Sequence, residues 1–370
     1  MRKPLFALSL LFFLVSCGQE GKNEIRGAGG DAATLQLLSF EDYVTLPALE
    51  KFEAETGIKV EVIAFETLNE MRGILRNRRG QIDVIISDGP NIYELGQSRQ
   101  LAELDESKLP NISNLDARFC DLSFDRRNRY SIPYLWGSTL IAYREDLVEE
   151  PDSWADLWDP RFSGKVGMLD EPLDSVGSAM ILLGYSPNSI VGEELDHARE
   201  KLMEQVAQVN PKCLSIDEIR DGLVSGEVAI SMCYSGDAPL AAEENENIRW
   251  VIPSEGAVLW VDNFAIPRDS PRIDAAHKFL DFMMGAEVAA KNSEELYFAS
   301  PNTEATKLLV GSDILDDKAI YPPEDVMARC EFIDAQNLAQ RRAEFIRITD
   351  AVRRQGGGEP GPGEVPDIRE

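Results

Sequence analysis

The runs TLQLLSF at residues 34–40, KVEVIAF at 59–65 and QIDVIIS at 81–87 are short, apolar and separated by stretches of a different rhythm. In the first stretch, residues 47–56 bring Leu49 and Phe52 to one face of a helix, and Gly57 follows where a left-handed cap would end it. Residues 69–78 read as a second helix, and Asp88-Gly89-Pro90 turns the chain after the third run. Strands alternating with helices predict an α/β layer fold with a largely parallel sheet. Working outward, further strands are expected at 138–143, 164–169, 227–233 and 257–266. A helix is expected at 271–284, with Ser270 as N-cap, Pro271 in its first turn and Ala276, Phe279, Leu280 and Met283 inward. A last amphipathic helix, 337–353, would bury Leu338, Phe345, Ile348 and Val352.

The start of the chain has a different character. Arg2 and Lys3 precede an apolar run at 4–15, too short to span a bilayer, which reads as a signal peptide over residues 1–16. It ends in Leu14-Val15-Ser16-Cys17-Gly18, which resembles a bacterial lipobox and makes Cys17 the expected site of lipidation and membrane attachment. Residues 17–33 are Gly-rich and polar, a lipidated flexible tether, and the folded body starts near Thr34. Residues 355–370, with their run of Gly and Pro, read as a disordered tail. What lies between is long enough for two domains.

With 65 acidic against 37 basic residues, a net charge of −28, the chain lacks the basic patches that phosphates require, so nucleic acid is not an expected partner. Cationic ligands are compatible with that charge. After Cys17, four cysteines remain, Cys120, Cys213, Cys233 and Cys330; an exported compartment permits disulfides, and three pairings stay open. They read as buried small side chains or one bridge. Nothing has metal-ligand spacing, and neither metal nor cofactor is expected. The two histidines, His197 and His277, lie in helical stretches away from any nucleophile, and no GxSxG, P-loop or HExxH pattern occurs, so an enzyme is not expected.

Aromatic and acidic residues do recur together where strands run into helices, the end of an α/β sheet at which ligands sit. They are Phe40, Asp42 and Tyr43; Asp88; Glu171 and Asp174; Tyr234 and Asp237; Trp260 and Asp262; and Phe298. Each carboxylate alone could cap a helix, and each ring alone could be core. Together they suit an alkyl ammonium, which takes apolar walls for its methylenes, ring faces for its charge and carboxylates for its N–H donors.

Over residues 35–353 the sequence resembles the periplasmic spermidine/putrescine-binding protein family of bacterial ABC importers. The segments that carry the resemblance include FEDYV at 40–44, SIPYLWG at 131–137, SWADLWDP at 153–160, LGYS at 183–186, GAVLWVDNFAIP at 256–267 and SPN at 300–302. The resemblance implies a two-lobed periplasmic-binding-protein fold with a hinge, the chain crossing near residues 136–139, 260 and 305. Lobe 1 would be 34–138 plus 261–305, and lobe 2 would be 139–260 plus 306–354. Tyr43 and Trp260 then match aromatic walls, Glu171, Asp174 and Asp262 match carboxylates that hold amino groups, and Asp42 and Asp237 match acids of the putrescine branch. Phe40 and Tyr234 replace tryptophans, Phe298 a tyrosine, Pro90 an aromatic and Ile333 an amide. The implied role is a monomeric, periplasmic, membrane-anchored lipoprotein that delivers a polyamine to an ABC permease. A binding protein for a thiamine-like, agmatine or amidine cation, or a surface sensor lipoprotein, are the alternatives.

Overall fold

The computed structural model describes residues 34–356. The expected signal peptide, Cys17, the tether at 17–33 and the tail beyond Gly356 lie outside the described residues.

Among the described residues ten strands form one sheet, eight of them in a single hydrogen-bonded path. In chain order they are β1 (Thr34–Phe40), β2 (Lys59–Phe65), β3 (Val84–Asp88), β4 (Ser131–Arg144), β5 (Val166–Leu169), β6 (Lys212–Leu214), β7 (Ile230–Tyr234), β8 (Ile248–Val251), β9 (Val258–Ala265) and β10 (Glu331–Phe332). Their spatial order is β2-β1-β3-β9-β4-β7-β5-β6, with β10 beside β9 and β8 beside β4. Each end of the path is parallel, β1 with β2 and β3 on one side, β5 with β6 and β7 on the other. The middle is antiparallel, because β9 runs against β3 and β4, and β4 runs against β7 and β8.

The 14-residue β4 carries the architecture. Residues 131–138 pair with β9, and from Thr139 onward the strand pairs with β7. The sequence expectation of a strand at 138–143 found only its second part. Pro133 argues against a central strand, and the register slips between Pro133 and Leu135. The bulge is what lets a proline stand there.

Burial follows the two halves. Leu35, Leu37, Val84 and Ile86 point to a core with Phe52, Phe264 and Phe279, while Leu38 and Ile85 point to the opposite face with Phe65, Met71, Phe119 and Trp136. A sheet covered on both faces explains why β3 reads as a continuous apolar run. Phe52 and Phe279 meet edge to face at 5.1 Å, and Phe279→Ala would cost about 3–5 kcal/mol. The other half has its own core of Leu140, Trp154, Val176, Met180, Leu202, Ile230 and Met232, on which Phe345 and Ile348 of the helix Ala335–Gln355 also pack. Leu309, Ile314 and Ile320 pack in the cluster of Phe119 and Trp136.

The sequence expectation holds at one helix end and departs from the structure at one helix start. The helix Leu46–Thr56 ends at Gly57 with φ 69° as expected of a left-handed cap. The helix expected from residue 271 begins instead at Ile273. Ser270 spends its hydroxyl on the buried Asp83, 2.8 Å away, and accepts only the amide of Arg272, so it turns the chain before the helix instead of capping it. All four described cysteines are free thiols; Cys233 is buried, but Cys120 and Cys213 are exposed, contrary to the expected burial.

Candidate functional site

The site forms where β1, β3, β7 and β9 meet the start of the helix Pro172–Leu182. Antiparallel pairing sets Asp88 of β3 directly opposite Asp262 of β9, so two carboxylates face each other across one ladder position. Such a like-charge pair destabilises a sheet unless something positive intervenes. Asp88 caps the helix Gly89–Gln97, its Oδ1 accepting from the Asn91 amide at 2.9 Å and from Asn91 Nδ2 at 2.6 Å. Asp262 accepts from the Tyr43 hydroxyl at 2.8 Å, and Tyr134 holds that turn by donating to the Tyr43 carbonyl at 3.1 Å. On the other half, buried Asp174 accepts from Thr139 Oγ1 and from the Tyr234 hydroxyl. Glu171 stands at the N-cap position of that helix but makes no capping bond, so capping does not account for it.

The rings form a connected wall. Centroids are 5.6 Å apart for Phe40 and Tyr43, 5.7 Å for Tyr43 and Phe298, 5.2 Å for Trp260 and Phe298, and 5.8 Å for Tyr234 and Trp260, all edge to face. Two glycines make room for it. A Cβ on Gly137 would lie 2.5 Å from the Trp260 ring, and one on Gly236 would lie 2.4 Å from Phe298, so any side chain at either position displaces the wall.

The carboxylates are short of positive charge. Burial pushes Asp262 up to about 7 and Asp174 up to about 6; the Tyr43, Thr139 and Tyr234 hydroxyls oppose the rise and the charge of Asp88 adds to it. Burial also raises Asp88, against the pull of Asn91, Arg342 and Arg72. Glu171 is pushed up by surrounding protein and by Asp174 and Asp88, but it is exposed, and its contact with water makes the rise weaker than that of Asp262. The phenols of Tyr43 and Tyr234 are raised by burial and by their acidic partners, so both remain donors. Four acids from three elements are thus held within reach of one another, and the arrangement favours an incoming cation.

Not every expected residue joins this group. Asp42 is exposed, in a left-handed turn with φ 50°, and is not brought to the others. Asp237 is buried beside the wall but already has a cation, Arg220, at 3.1 Å; burial still raises it to about 6. Sequence reasoning missed Thr139, Tyr134, Arg220 and Arg342. Tyr134 lies inside SIPYLWG and Thr139 just after it, so that segment was the available signal. Arg220 and Arg342 had none, since their partners are set by tertiary packing. Among the described residues, no group of three or more His, Cys, Asp or Glu side chains is arranged to hold a metal ion.

The sequence model of the bacterial extracellular solute-binding protein family matches residues 48–322, most of the chain. The chain belongs to this family. It is 33% identical over 329 residues to spermidine/putrescine-binding periplasmic protein 1 of Haemophilus influenzae, covering 87% of this chain and 90% of that one. Among solved structures it is similar to a putative spermidine/putrescine ABC transporter protein from Listeria monocytogenes, with 33% identity, a TM-score of 0.76 and coverage of 85% and 98% of the two chains. A spermidine/putrescine ABC transporter substrate-binding protein from Streptococcus pneumoniae gives 30% identity, a TM-score of 0.78 and coverage of 88% and 99%. The solute-binding fold of this family is two-lobed.

Proposed function

We propose that this solute-binding protein takes up a polyamine of the spermidine or putrescine type between its lobes and delivers it to an ABC permease, with no catalytic step. The observation that carries the reading is the buried carboxylate group of Asp88, Asp174 and Asp262, with Glu171 at its rim, beside an aromatic wall and without a cation of its own in contact. A primary ammonium supplies the missing charge and donors, and its methylene chain fits against Tyr43, Trp260 and Phe298. The relatives named above support the choice of polyamine. The lobes are taken as 34–138 plus 261–305 and 139–260 plus the helix Ala335–Gln355; Leu309, Ile314 and Ile320, expected in the second lobe, pack instead in the core of the first. The LVSCG stretch at 14–18 supports export to the periplasm and anchoring through Cys17, with a Cys17→Ser variant expected to leave the membrane fraction or stay unprocessed.

A second reading, a compact thiamine-like cation, is favoured by the buried indole N–H of Trp260, which finds no acceptor among the described residues. A ligand with its own acceptor would satisfy it. The test is calorimetric titration with putrescine, spermidine, spermine, agmatine and thiamine. Tight binding of one of the first three supports the polyamine reading; binding of thiamine alone replaces it with the second. Binding of none of the five removes both.

A further inference from the structure

The helix Ala335–Gln355 is fixed by Asp334 at its N-cap and by Phe345 and Ile348, buried in the core of the second lobe. From it, Arg342 reaches the other lobe and donates to Glu94 Oε1 at 2.6 Å. Glu94 sits on the helix Gly89–Gln97, whose Ile92 and Leu95 are buried in the core that contains Leu38 and Ile85. Its second oxygen takes Arg72, from the helix Leu68–Asn77. Arg72 Nε in turn donates to Asn91 Oδ1 at 2.5 Å. Because that amide oxygen is engaged, the fully buried Asn91 must present its nitrogen to Asp88, at 2.6 Å; the flipped amide would set oxygen against both carboxylate and nitrogen against guanidinium. The chain of contacts ends on a site carboxylate. It leaves Asp88 Oδ2 without a hydrogen-bond partner among the described residues.

We propose that Arg342 is a positioning residue for the ligand site: acting through Glu94, Arg72 and Asn91, it bolts one lobe to the other and holds Asp88 oriented toward the ligand. This rests on the polyamine reading of the same site only for the identity of the ligand. The groups that face Asp88 are Arg72 and Arg342 on the positive side and Asp262, Glu171 and Asp174 on the negative side, with Glu94 on its own helix between the two arginines. Without Arg342 the negative groups prevail. Asp88 then takes up its proton at higher pH, and the two lobes lose the contact between Arg342 and Glu94.

The experiment compares wild type, Arg342→Gln and Arg342→Lys, which keeps the charge. Spermidine and putrescine affinities are measured from about pH 5.5 to 8, and the Asp88 carboxyl is titrated by carbon NMR in the ligand-free proteins, assigned with Asp88→Asn. The Gln variant is expected to bind about three- to tenfold more weakly near neutral pH, with the acid limb of its binding profile and the Asp88 titration both moved to higher pH. The Lys variant should recover most of both. Unchanged affinity and an unchanged Asp88 titration in Arg342→Gln would overturn the inference. So would weaker binding with no movement of either pH profile, since that pattern belongs to a side chain that only supports the fold. If wild type binds neither amine, the polyamine reading fails, while the NMR titration still decides the positioning role.

Discussion

Asp125 and Asp262 are both buried aspartates, 4% and 8% exposed, yet the chain has treated them in opposite ways. Asp125 accepts from the amides of Arg129, Tyr130 and Ser131 and from the Ser131 hydroxyl, at 2.7 to 3.1 Å. Among the described residues, Asp262 has a single donor, Tyr43, and an acid as its neighbour across the ladder. A buried carboxylate kept for structure is supplied with donors by the residues that follow it in sequence. One that is buried and left with a single donor among the described residues is what the proposed ligand site requires.

The comparison is broken most sharply by removing the charge of Asp262. Asp262→Asn keeps the shape and can still accept from Tyr43, so it removes only what a bound ammonium would pair with. Loss of one desolvated charge pair costs about 2–5 kcal/mol, which weakens polyamine affinity about thirty-fold or more. The ligand-free variant should melt no lower than wild type at pH 8, because a carboxylate raised by burial opposes folding there. Titration calorimetry and a melting curve on the same sample check both halves. Undiminished affinity with a lower melting temperature would make Asp262 a structural acid like Asp125.

The converse substitution, Asp125→Ala, should leave affinity nearly alone. It orphans three amides and a hydroxyl near Ser131, each costing about 1 kcal/mol or more, so a loss of about 4 kcal/mol of stability is expected in a denaturant titration. A ligand affinity that falls along with stability would mean that the turn before β4 and the site are not separable.

The difference between these two acids shows what a sequence displays. Asp125 and its donors lie within six residues, whereas Asp262 and Tyr43 are 219 positions apart and meet only through the sheet. The strands β1 to β3 were legible because both faces are covered and their apolar runs are unbroken. The first part of strand β4 was not, because Pro133 and Gly137 interrupt it, one absorbed by a bulge and the other required by the Trp260 ring. Most site positions were legible as acids and rings at strand ends. That Asp42 would turn outward and that Arg220 would occupy Asp237 depended on a turn conformation and a helix packing that no local pattern encodes.

A smaller effect, but one that tests the whole group, is the pH dependence of stability. For Asp262, raised from 3.8 to about 7, and Asp174, raised from 3.8 to about 6, the folded protein holds the proton more tightly than the unfolded chain. Their contribution to stability is therefore fully present below about pH 4 and is lost as pH rises through about 6 to 7. Surface acids held by arginine, such as Asp116 with Arg118, are lowered and act in the opposite direction, contributing above about pH 4 and failing below it. The ligand-free protein should accordingly be most stable near pH 5 and melt a few degrees lower at pH 8. A bound polyamine reverses the sign for the site acids, because an ammonium beside them favours their ionised forms, so the gap in melting temperature between loaded and free protein should widen from pH 5 to pH 8. In Asp262→Asn the ligand-free slope should flatten and the gap should shrink. A ligand-free melting temperature that climbs steadily from pH 5 to pH 8, equally in wild type and variant, would mean that these carboxylates are already compensated and that the contrast with Asp125 has no energetic content.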